Sequence, residues 1–197
     1  MHYLSRFNYL ECDIVQRLSM LKSIIIENLE EVLELETLVK TSMEKATFQL
    51  TSELSSNNPI SIFSKMKFGG VGFDPLDCNR ELNIIEQINQ SFTYLASFYS
   101  LEILFSKHLE LAPFKLNLGT APGSDIESVC GVLAAEVFAS VTPTNNQKLK
   151  KDIDKVLATD AQFKYAFFMC PKFELGRQNK LERDGVIVWA LKGAQAL

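Results

Sequence analysis

The sequence predicts an α/β protein, a mixed β-sheet with flanking helices, preceded by a long N-terminal helical arm. Three features of the pattern lead there. From Met1 to Asn58 there is no Gly and no Pro, and apolar residues recur at three- and four-residue steps. Residues 82–105 repeat that spacing. After Pro113 the texture changes to short apolar or alternating runs set off by turn residues, with one further helical segment among them.

The arm is read from Leu10, Ile14, Leu18, Leu21, Ile25, Leu29, Val32, Leu35 and Val39, with Glu27, Glu30, Glu31, Glu34 and Glu36 on its other side. It is one extended helix or two with a kink between them. Its apolar stripe has to be covered, either by a second copy, which would make a homodimer through the N-terminal helices, or by its own domain. SSNNP (55–59) closes the arm, so residues 1–58 form a helical arm or hairpin and residues 59–197 an α/β domain. Gly69, Gly70, Gly72 and Pro75 mark 60–80 as a loop. A second helix is expected from Asp77, its cap, to Lys107, with Leu82, Ile85, Ile88, Phe92, Leu95 and Phe98 on its apolar face.

FKLNLG (114–119) alternates as a strand, GTAPGS (119–124) is a turn, DIESV (125–129) a short strand and residues 132–141 a longer apolar one. PTNN (143–146) leads into a helix ending near Ala158. FKYAFFMC (163–170) is a buried strand, residues 172–185 a polar connection, and VIVWAL (186–191) a last strand. Strands joined by tight turns pair antiparallel, and a helical crossover makes the next strand parallel, so the sheet is mixed.

Composition narrows the function classes. Of 197 residues 47% are apolar and 22% charged, as in a soluble globular protein with a sizeable core. None of the four cysteines lies in a CxxC pair, which argues for reduced thiols, a cytoplasmic setting and no zinc site of the usual spacing. No apolar run reaches the length of a membrane span and no signal peptide is read at the start, so no membrane partner is expected. Charge is unevenly spread. Residues 1–112 hold 9 Lys/Arg against 15 Asp/Glu, while residues 145–192 hold 10 against 6. The basic C-terminal part is either a solvated helix face carrying Lys148, Lys150, Lys151 and Lys155, or a surface for nucleic-acid phosphates.

One residue breaks the pattern. Glu136 stands inside the apolar run 132–141. If the two strands fold back about Cys130–Gly131, positions whose numbers sum to about 261 face each other, which sets Glu136 against Asp125. Two carboxylates so placed repel unless a cation lies between them or one keeps a proton. Oxygen ligands suit a hard divalent ion, so Mg2+ is the expected cofactor. An ion pair with a lysine is the plainer account of Glu136.

An acid opening one strand, Glu inside the next, then a Lys-rich helix and a buried strand resemble the core of the PD-(D/E)XK nuclease superfamily, the restriction-endonuclease-like fold. The resemblance covers residues 77–170 and implies an αβββαβ core, a metal-dependent hydrolase cleaving DNA phosphodiesters, and Asp125 and Glu136 as the two acids. The family's lysine, two residues after the second acid, is Phe138 here, and GlySer precedes Asp125 where a Pro is usual. Some members of the fold take the cation from the following helix, which implies Lys148, with Gln147 placed to orient a water. Members also place an acid on the first core helix; Glu86 fits that metal-ligand role, or it caps a neighbour or pairs with Arg80. Phe138 leaves a second reading open, a catalytically inactive relative that binds nucleic acid or protein and dimerises.

Overall fold

In a computed structural model of the chain the described residues are 23–54, 58–119 and 121–193. The elements run β1 (Ser23–Ile26), α1 (Leu29–Leu54), α2 (Pro59–Phe68), β2 (Gly72–Asp74), β3 (Asp77–Leu82), α3 (Ile84–Lys107), β4 (Phe114–Asn117), β5 (Ile126–Ser128), β6 (Leu133–Ala139), α4 (Lys148–Leu157), β7 (Phe163–Met169), β8 (Gly176–Arg177) and β9 (Ile187–Leu191). They divide into two compact units. Among the described residues one holds 34–94 and the other 23–33 together with 95 onward.

In the first unit β2 and β3 form an antiparallel hairpin. Its turn is held by Asp74, whose carboxylate accepts the Leu76 N–H at 2.9 Å and an Arg80 N–H at 3.1 Å. Residues 60–80 are therefore not the expected loop but a helix and a hairpin. Asp77 starts a strand rather than capping a helix. The cap is Asn83, whose Oδ1 accepts the Ile85 and Glu86 N–H groups at 3.1 and 3.0 Å. Gln87 donates to Ser42 Oγ and Ser91 Oγ, which ties α1 to α3 within this unit.

The second unit is built on a seven-stranded mixed sheet in the order β1-β4-β5-β6-β7-β9-β8. β4, β5 and β6 form an antiparallel meander, and β6, β7 and β9 run parallel. β1 corrects the expected helical arm. Ser23–Ile26 is an edge strand antiparallel to β4, and the residues before it, Leu10 to Leu21 of the apolar stripe among them, lie outside the described part. Three consecutive isoleucines favour a strand. Asn28 then opens α1, accepting the Glu31 N–H at 3.1 Å while the Glu31 carboxylate accepts the Glu27 N–H at 2.9 Å.

Period-two alternation gives the sheet two faces. Ile24, Ile26, Phe114, Leu116, Ile126 and Ala135 are buried on one. There the Phe105 ring meets Phe114 edge-on at 5.0 Å, and His108 Nε2 lies 2.8 Å from the Tyr165 hydroxyl. On the other face α4 packs Leu149, Ile153 and Val156 against Phe138, Ala166, Phe168, Val188 and Ala190. The same face over β4 and β5 is polar, with Lys115, Asn117, Asp125 and Glu127 only partly buried. No helix among the described residues is long and apolar enough to cross a membrane.

Candidate active site

Glu136 lies where the polar half of that face meets the helix-covered half. β5 and β6 pair Ile126 with Ala135 and Glu127 with Ala134, each couple summing to 261 as the turn predicts. One further step sets Asp125 opposite Glu136, on the same face. Asp125 sits just before β5, and its carboxylate accepts the Val137 N–H at 2.8 Å. Glu136 is 2% exposed. Burial first, and the facing Asp125 second, push its carboxyl from the usual 4.5 up to about 7.

The cation beside Glu136 is Lys155, which the sequence leaves on a solvated helix face. Its Nζ lies 2.8 Å from Oε1 and 2.9 Å from Oε2. Burial lowers the Lys155 ammonium, but the hydrogen bond and the Glu136 charge outweigh it, so the group is held above its usual range. Oε1 is buried without a well-directed hydrogen bond. Lys148, the expected cation, does not reach Glu136. It donates to Asp152 Oδ1 at 2.7 Å and places its Nζ 5.5 Å from the centre of the Phe138 ring. Asp152 is itself buried, which with the nearby Asp125 charge holds its carboxyl above the usual range despite Lys148.

Lys155, Asp152 and Glu127 are the site residues that sequence reasoning missed. A signal for two of them was present: 148, 152 and 155 fall at steps of four and three, beside the apolar stripe Leu149, Ile153, Val156. Glu127 fixes the loop before Asp125. It accepts the Ser124 N–H at 3.0 Å and pairs with Lys115 at 3.1 Å. Gly123, at φ +103°, allows this approach, since a Cβ there would stand 2.6 Å from Glu127 Oε1.

Glu86, expected as a metal ligand or as a cap, lies in the first unit. Its exposed carboxylate accepts the Asn83 N–H at 3.3 Å and closes the capping box of α3. Among the described residues no three His, Cys, Asp or Glu side chains converge as a metal cluster. Gln147 is exposed at φ 57° and makes no side-chain cap to α4. Two facing carboxylates remain, Asp125 accepting the Val137 N–H and Glu136 paired through both oxygens with Lys155.

Comparison with protein families, with curated proteins and with solved structures finds no match to this chain.

Proposed function

We propose that this chain hydrolyses phosphodiester bonds of DNA with the help of a divalent cation such as Mg2+, on a fold of the PD-(D/E)XK nuclease type. The single observation that carries the reading is the Asp125–Glu136 opposition across β5 and β6, with Lys155 on Glu136. The run α3, β4, β5, β6, α4, β7 has the element order of the αβββαβ core, which supports it.

Asp125 and Glu136 would hold the cation, which neutralises phosphate charge and makes its bound water a nucleophile near neutral pH. The rest falls to the chain's own groups. Lys155 favours the charged form of Glu136 and so prepares it as a ligand. Lys148 and Lys155, with side chains 45% and 49% exposed, present positive charge where a phosphate would arrive. Lys115 and Asn117 continue that face of the sheet as a partly buried polar strip.

Calorimetric titration with Mg2+ and Mn2+, alongside nicking of supercoiled DNA, tests the reading. Wild type should bind the ion and cleave, and Glu136→Gln should lose both with its fold intact. A wild type that binds neither ion rejects the proposal.

One observation favours a second reading, a non-catalytic relative that binds nucleic acid. Phe138, where the family's lysine would stand, is 5% exposed and stacks on Phe168 at 6.0 Å, as a core residue does. Metal binding and duplex binding without cleavage would select it.

A further inference from the structure

We propose that Asp152 and Phe138 act together as positioning residues that hold the Lys148 ammonium beside the acid pair to grip a nucleic-acid phosphate. The inference rests on the functional reading above and adds to it the two side chains that fix Lys148. Lys148 and Asp152, four residues apart on α4, could be an ordinary surface pair, and such pairs contribute little because both partners keep their water. This one is lopsided. The Lys148 side chain is 45% exposed and the Asp152 side chain 5%. Asp152 Oδ2 is buried with no hydrogen-bond partner at all. A carboxylate so placed, near Asp125 and Glu136, costs more in lost solvation and like-charge repulsion than a single ion pair returns.

The arrangement is explained if Asp152 serves as a fixed anchor. It lies on the buried face of α4 between Leu149 and Ile153, so its Oδ1 cannot follow a mobile lysine into solvent. The second anchor is the Phe138 ring, with Nζ 5.5 Å from its centre and the ring itself set by stacking on Phe168. Together they hold the ammonium at the rim. Lys155 is committed to both oxygens of Glu136, whereas Lys148 bonds one oxygen of Asp152. An ammonium has three donors, so Lys148 keeps N–H groups free for a phosphate oxygen. With all three ionised, the carboxylates of Asp125, Glu136 and Asp152 against two ammoniums (Lys148, Lys155) leave one net negative charge before any divalent ion binds. A polyanion then depends on cations held at the edge of the site.

Fluorescence anisotropy with a short labelled DNA duplex tests this, in EDTA and in Ca2+, over a range of salt. Lys148→Ala should weaken binding about fivefold to thirtyfold and lower the salt slope by about one. Asp152→Asn is the decisive variant. It removes a negative charge, so a carboxylate acting through charge alone predicts tighter binding, whereas positioning predicts weaker binding. The double variant should be no weaker than Lys148→Ala alone, because both act through one contact. Phe138→Leu should weaken binding in the same direction, and Trp189 fluorescence shows whether each variant keeps its fold. Asp152→Asn binding as tightly as wild type or more tightly, Lys148→Ala binding unchanged, or a wild type that binds no duplex overturns the proposal. The nuclease reading stands or falls separately, on Mg2+ binding by wild type against Glu136→Gln.

Discussion

Replacing Glu136 with glutamine isolates what burying that carboxylate costs. In the folded chain burial and Asp125 hold its carboxyl at about 7, against 4.5 as the ordinary value. Below pH 4.5 the group is protonated whether the chain is folded or not, and the cost is absent. Between 4.5 and 7 the unfolded chain releases the proton and the folded chain keeps it, so stability falls as pH rises. Above 7 the fall is complete. At about 1.36 kcal/mol per pH unit the whole difference is at most about 3 kcal/mol. Glutamine has the same shape and no charge, so it escapes this cost. Glu136→Gln should therefore match wild type near pH 4.5 and be more stable at pH 8 by up to about 3 kcal/mol. The lost pair with Lys155 is already counted, because that lysine lowers the shift and the net shift is still upward. Urea unfolding followed by Trp189, the one tryptophan and a residue of β9, reports on the unit that holds the site. Subtracting the wild-type pH curve from that of the variant cancels groups common to both. A variant equal to or less stable than wild type at pH 8 would mean that Lys155 outweighs burial. The view of Glu136 as a costly acid kept for binding would then be refuted.

Further outcomes follow from the same geometry. If Asp125 and Glu136 hold a divalent ion as proposed, its affinity should rise about tenfold per pH unit below about 7 and level off above it, because the ion would displace the Glu136 proton; calorimetry from pH 5.5 to 8.5 checks this. Gly123→Ala should cost about 1–3 kcal/mol and weaken ion binding, since φ +103° and the Glu127 oxygen at 2.6 Å both resist a Cβ; thermal melts and the Mg2+ titration read the two effects. If the chain is the nuclease proposed above and Lys148 does the work of a lysine at position 138, Phe138→Lys in a Lys148→Ala background should recover duplex nicking. A folded double variant with no more activity than Lys148→Ala speaks against that replacement.

The sequence by itself determined the strands from β4 to β7. Turn residues bound each of those runs, and tight turns or a helical crossover leave little choice in strand direction there. Residues 172–185, by contrast, read as a plain connection and yet give the edge strand β8, with β9 set parallel to β7 and no α-helix between them. The short Cys130–Gly131 hairpin also set the register, because a turn of that length pairs positions by arithmetic and brings Asp125 to Glu136. Other features depended on partners far along the chain. Ile24–Ile26 continue a helical spacing, yet an available edge on β4 takes them as a strand. DCNREL (77–82) reads as helix until the β2 hydrogen bonds and the Asn83 cap claim their own residues. Lys148 and Lys155 look alike on the helix, and which one reaches Glu136 was decided only by how α4 lies across β6. Periodicity reports which face of an element is buried. It is blind to what packs on that face, and for charged groups the packing partner decides both solvation and pairing.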